Sequence, residues 1–300
     1  MDNAKDSIRE FYDLVSSNYG DRYDESQILK AERYSANYYR HQMLINILKE
    51  VNAKKVLEVG CGEGTPLIHL HGLGYELEGF DLSPNMVSIA KERAKLSDLD
   101  PSKVFLADIE NIESLRSSKY FGEYDVVFAF GVLPHVNSVT LSLQNMKALL
   151  KPGGRLIFEY RNKLFSLFTL NKFTEDFFLN DLLFDQDKDV KLAVKNWLSK
   201  RLDLDRKSAE HLVKQGRTYE SIRANFHNPL MWPDKVQDNG FKFIKHHWYH
   251  YHALPPSLEN IVGTEFFRQK SMEMESLNNK ESDWRGFFMC SAGVIEAQKL

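Results

Sequence analysis

Cysteine is nearly absent: the 300-residue chain has two, Cys61 and Cys290. Two distant thiols exclude a disulfide framework and fall short of a zinc quartet. No apolar run approaches the roughly 20 residues that a membrane span requires. The opening residues, MDNAKDSIREFY, lack the apolar centre of a secretion signal. Neither sign of charge dominates, and a net charge of -3 argues against a globally basic nucleic-acid binder. No repeat and no low-complexity tract stands out. What remains, 43% hydrophobic and 27% charged residues, is the make-up of a globular chain. The length suits one or two domains, and the expected setting is a reducing cytoplasm.

The middle third alternates strand-like and helix-like segments. Strands are expected at Lys55–Val59, Glu76–Phe80, Lys103–Ala107, Tyr124–Phe130 and Gly154–Tyr160. Helices are expected at Pro66–Leu73, Pro84–Leu96 and Ser138–Leu150. Such alternation predicts parallel pairing with helices on both faces, and a ligand at the carboxyl ends of the strands. Ahead of it, Tyr34, Tyr38, His41, Ile45 and Leu48 share one helical face. After it, Phe165, Phe168, Phe173, Phe177, Phe178 and Phe184 crowd one stretch, and Val190, Val194, Trp197, Leu198 and Leu202 form an amphipathic stripe. Two late strands, Phe241–Tyr251 and Phe287–Ala297, can close the sheet as an antiparallel pair. The expected fold is therefore α/β, a doubly wound, mostly parallel sheet. The expected parts are an amino-terminal helical cap (1–51), a core (52–160), a helical lid insertion (161–240) and closing strands (241–300).

The strongest local pattern is Val56-Leu57-Glu58-Val59-Gly60-Cys61-Gly62-Glu63-Gly64, in which a strand runs into three glycines and Thr65-Pro66 opens a helix. Glycine lets the backbone turn tightly and approach a ligand without a Cβ in the way. N–H groups at such a loop and helix start suit an anionic group, although some glycine turns bind nothing. The spacing is Gly-x-Gly-x-Gly rather than the Gly-x-Gly-x-x-Gly of nicotinamide sites. Glu58, two residues before the first glycine, would repel a pyrophosphate and suits a ligand with a cationic end. Asp81 ends the second strand, where a carboxylate can hold both hydroxyls of a ribose. Asp108-Ile109 ends the third, where a carboxylate can meet an adenine amino group and an apolar side chain its ring.

This set resembles the class I S-adenosylmethionine-dependent methyltransferases. The matching stretches are VLEVGCGEG (56–64), GFDLSPNM (79–86), ADI (107–109), YDVVFAFGVLPHV (124–136) and LKPGGRLIFE (151–159). The resemblance implies a seven-stranded Rossmann-like sheet with S-adenosylmethionine as cofactor and S-adenosylhomocysteine as product. It implies that Gly60, Cys61 and Gly62 wrap the methionine end and that Asp81 holds the ribose. Leu82 and Met86 flank the adenine, Asp108 and Ile109 fix it, and Phe130 or Gly131 touches the methionine portion through the backbone. Arg40 resembles an arginine that grips the cofactor carboxylate, and Tyr19 a side chain that closes over the methionyl group. The plainer readings are a solvated helix cation and a packed aromatic.

A sulfonium methyl is already electrophilic, so the protein has to place an acceptor in line and exclude water. His135, just beyond the fourth strand, is the candidate base for an oxygen acceptor; the alternative is a structural role in its loop. The late histidines His246, His250 and His252 would share one strand face with Trp248, and His247 the other with Tyr249 and Tyr251. Polar substrate wall, metal ligation and mixed packing are the three readings; no carboxylate sits among them, and no metal is assigned. His227 and His250 are taken as substrate-facing. Between Lys188 and Arg217 there are nine basic and four acidic side chains. They favour an acidic or phosphorylated substrate, an anionic membrane surface, or simply a solvated face.

The expected function is methyl transfer to oxygen or nitrogen of a small molecule. The carboxyl-terminal region resembles methyltransferases of glycan and secondary-metabolite pathways, which implies a sugar or secondary metabolite as acceptor. RNA or protein methylation and a non-catalytic adenosyl-binding role are the alternatives. Phe130-Gly131-Val132-Leu133-Pro134 lacks the Asn/Asp-Pro-Pro-Tyr of base-amino methylators, and no basic stripe interleaved with aromatics crosses the core. A homodimer is compatible with the sequence.

Overall fold

The computed structural model describes residues 7–12, 36–200, 202, 224–276 and 283–300. Its centre is one mixed sheet in the order β3-β2-β1-β4-β5-β8-β7. These strands are β1 (Lys55–Val59), β2 (Glu76–Asp81), β3 (Val104–Leu106), β4 (Tyr124–Ala129), β5 (Leu150–Asn162), β7 (Phe241–Tyr251) and β8 (Cys290–Lys299). An eighth strand of two residues, β6 (Phe226–His227), pairs in parallel with the end of β5; it is too short to leave a sequence pattern. β1 to β5 pair in parallel, and β8 runs antiparallel between β5 and β7.

The strand alternation is visible in the packing. Leu57, Val59, Val127, Ala129, Leu156 and Phe158 join one apolar core, whereas Val56, Val126, Phe128 and Ile157 join the other. The second core is covered by α1 (Ala36–Glu50), α2 (Thr65–Gly72) and α3 (Pro84–Leu96), through Leu44, Leu48, Leu67, Leu70, Val87 and Ala90. The first is covered by α4 (Val139–Leu149) through Leu143 and Met146. Burial on both faces explains why the parallel strands read as continuous apolar runs. Within the second layer, His41 of α1 meets His69 of α2 at 2.7 Å, Nε2 to Nδ1. Burial and the neighbouring imidazole push the His41 pKa down to about 3.

Residues 161–240 carry short helices, then α5 (Lys188–Leu198) and α6 (Trp232–Asp238). Trp232 and Val236 lie inside the first core, so the last part of this stretch is a structural layer under the sheet. The basic run continues past residue 200 into residues outside those described.

In the late strand the expected faces hold as far as Tyr249 and fail beyond it. The pairing slips between Phe243 and Lys245, and His250 has a positive φ of 59°. The second irregularity turns Tyr251 onto the same core as Trp248, away from Tyr249. Simple two-residue alternation cannot anticipate a bulge or a left-handed residue.

Candidate active site

The carboxyl-terminal tips of β1 and β2 and the segments after β3 and β4 border one cleft of about 990 Å³, partly open to solvent. The glycine loop forms its floor. Gly60, Gly62 and Gly64 have φ of 71°, 55° and 87°, a region that side-chain-bearing residues rarely adopt. A Cβ on Gly60 would lie 2.5 Å from Val132 Cγ2. Gly60→Ala is therefore expected to cost about 1–3 kcal/mol from strain and overpacking, read as a shift in the denaturant midpoint. An unchanged midpoint would show that the loop is free to rearrange.

The loop's own amides are already used. Gly60 N and Cys61 N both donate to Phe80 O, at 2.8 and 2.9 Å. Gly62 N donates to Asp81 Oδ2 at 2.9 Å. These three amides are therefore not free for an anion. Thr65 and Pro66 open α2 with Gly64 as its cap, and Thr65 Oγ1 turns back to donate to Glu63 Oε1 at 2.6 Å.

Asp81 also accepts from Ser83 N at 2.8 Å. Each carboxylate oxygen has a second lone pair, so the group that pins the loop still presents acceptors to the cleft. Glu58 is 4% exposed, and its Oε2 has no hydrogen-bond partner among the described residues. Burial, reinforced by Asp81 and opposed by Arg40, pushes its carboxyl well above the usual range. Cys61 is a buried free thiol pushed up by burial, not an activated nucleophile. Leu82, Met86, Asp108 and Ile109 line the adjoining wall. Asp108 Oδ1 accepts from Glu110 N at 2.9 Å, and Asn145 Nδ2 donates to Ile109 O at 2.7 Å, so this corner is held from both sides. Phe130 and Gly131 form the opposite wall, with His135 beyond them.

Arg40 does not border the cleft. Its guanidinium, 6% exposed, pairs with Glu159 of β5 and lies 4.6 Å from the centre of the Phe130 ring. The same Glu159 oxygen accepts from Gly131 N at 3.0 Å. Arg40 thus stands one layer behind the wall and holds the β4 loop in place, because its charge finds a buried carboxylate before it finds the cleft. Tyr19 lies outside the described residues. His227 and His250 are not among the cleft residues either. His227 packs 5.0 Å from the Trp232 ring, and burial pushes its pKa down to about 4. His250 lies 4.9 Å from the His252 ring, and burial likewise holds it at about 4. His246 stacks on Trp248 and touches Phe243 and Phe287. The described residues hold no cluster of three or more metal-ligating side chains.

Ile8 and Tyr12, on a helical segment over 7–12, close the cleft on the His135 side. Tyr12 OH lies 3.2 Å from His135 Nε2. The sequence singles out neither residue, because one helical turn some forty residues before the first strand carries no motif.

The chain matches the family described as a methyltransferase domain over residues 50–224. It is 30% identical over 121 residues to the ubiquinone biosynthesis O-methyltransferase of Xanthomonas euvesicatoria pv. vesicatoria, covering 40% of this chain and 48% of that one. It is 32% identical over 127 residues to the tRNA U34 carboxymethyltransferase of Idiomarina loihiensis, covering 40% of this chain and 37% of that one. The chain spans less than half the length of either relative. Among solved structures, the fold is similar to magnesium protoporphyrin IX methyltransferase from Synechocystis PCC 6803 with bound SAH, at a TM-score of 0.52, 14% identity and 98% coverage of both chains. It is also similar to a putative S-adenosylmethionine-dependent methyltransferase from Listeria monocytogenes, at a TM-score of 0.50, 20% identity, and coverage of 89% of this chain and 99% of that one. With the glycine loop under three strand-tip carboxylates, these likenesses mean that the chain belongs to the methyltransferase-domain family, of the class I S-adenosylmethionine-dependent type.

Proposed function

We propose that this protein transfers a methyl group from S-adenosylmethionine to an oxygen or nitrogen of a small molecule. The observation that supports the reading most is Glu58. A buried carboxyl oxygen with no hydrogen-bond partner among the described residues borders the cleft beside a floor without side chains, and a cationic ligand end beside it favours its charged form. The residues present fit the cofactor: Gly60–Gly62 for the amino-acid part, Asp81 for the ribose, and Met86, Asp108 and Ile109 for the adenine. When bound, the cofactor supplies a methyl group that is already electrophilic. The protein then has to orient the acceptor and keep water out. His135, buried beside the cleft, is the group positioned to take a proton from an oxygen acceptor. No helix among the described residues is long and apolar enough to cross a membrane.

Calorimetry with S-adenosylhomocysteine tests the cofactor. The wild type is expected to bind, and Asp81→Ala to bind about 10- to 100-fold more weakly, the worth of charge-assisted hydrogen bonds. No binding by the wild type, or equal binding by the variant, would overturn the assignment. Labelled S-adenosylmethionine offered to hydroxylated and aminated small molecules, and separately to total RNA, tests the acceptor class. Label in RNA alone would refute the small-molecule reading.

A further inference from the structure

Resting on the reading above, we infer that Tyr12 is a catalytic residue, relaying the acceptor's proton to His135. The imidazole nitrogen at the cleft is not bare. Tyr12 OH, which lies 3.2 Å from Nε2, stands where an acceptor hydroxyl would have to be for direct contact. The rings meet edge to face with centroids 5.8 Å apart, and both residues border the cleft. The segment that carries Tyr12 is seated by Ile8 and Phe11, each buried.

A hydroxyl donates one hydrogen bond and accepts up to two. With Tyr12 donating to Nε2, its oxygen can accept from the acceptor O–H, and the imidazole carries its own proton on Nδ1. As the acceptor oxygen bonds to the methyl carbon, the carbon–sulfur bond breaks and its electron pair stays on sulfur. The acceptor's proton passes to the Tyr12 oxygen, and the Tyr12 proton passes to Nε2. The net change is one methyl gained and one proton moved from acceptor to imidazole, with Tyr12 restored.

The test is Tyr12→Phe, which keeps the ring and removes the oxygen. Nitrogen-15 NMR of the imidazoles, with His135→Gln to identify the signal, reads the tautomer ratio in the S-adenosylhomocysteine complex. The Nδ1–H form is expected to dominate in the wild type, and its ratio to the other tautomer to fall about 2- to 12-fold in the variant, the effect of one lost hydrogen bond. Labelling of the hydroxylated small-molecule mixture is expected to fall about tenfold or more, with S-adenosylhomocysteine affinity unchanged. An unmoved tautomer ratio, or undiminished labelling, overturns the relay while the methyl-transfer reading stands. A wild type that neither binds S-adenosylhomocysteine nor labels any acceptor removes both.

Discussion

Arg40→Met is expected to lower the unfolding free energy by about 3–5 kcal/mol, the typical cost of removing one partner of a buried ion pair. Both partners lie in the interior, Arg40 at 6% and Glu159 at 4% exposure. Methionine fills much of the arginine's volume, so the loss isolates the charge. What remains is a carboxylate sealed under Phe130 with Gly131 N as a neutral donor. The contact of the guanidinium with the Phe130 ring goes as well. Urea unfolding of Arg40→Met, Glu159→Gln and the double variant measures this. The double variant is expected to recover most of the loss, because neither charge is then stranded. A single-variant loss below about 1 kcal/mol, typical of surface pairs, would show that the pair is solvated and that Arg40 is free to turn to the cleft.

For His135→Ala, turnover is expected to fall about 10²- to 10⁴-fold with an oxygen acceptor, the range for a positioned base. S-adenosylhomocysteine affinity is expected to stay within about twofold, since the loss falls on the chemical step. The two numbers together distinguish the proposed base from a loop prop. His135 N is bonded to Val132 O at 2.9 Å, so the short turn it belongs to is held by backbone as well as by its ring. If the turn collapsed, affinity and turnover would fall together. Unchanged turnover would leave the imidazole a packing group and would remove the relay through Tyr12 as well.

Much of the site was legible because its parts are local. A glycine loop, an aspartate at a strand tip and a proline-opened helix each occupy a few neighbouring residues, and their chemistry follows from residue type and spacing. The Ser83 cap illustrates this: its side chain accepts from Met86 N at 3.1 Å, as Ser-Pro at a helix start leads one to expect. The residues whose place the sequence did not show share a different trait. Arg40 meets Glu159 from 119 positions away, and Tyr12 meets His135 from 123 positions away. Nothing in a linear pattern ranks such partners. His227 and His250 were chosen by residue type, and neither borders the cleft.

The doubly wound sheet, the position of its cleft and the acidic strand tips were thus set by short-range pattern. Apolar alternation and glycine placement act on the backbone wherever the chain goes. Which charge reaches the cleft, which is spent behind its wall and which side chain covers the reacting face depended on packing. A buried guanidinium settles on the nearest carboxylate that offsets its desolvation, and that neighbour exists only after β5 has paired between β4 and β8.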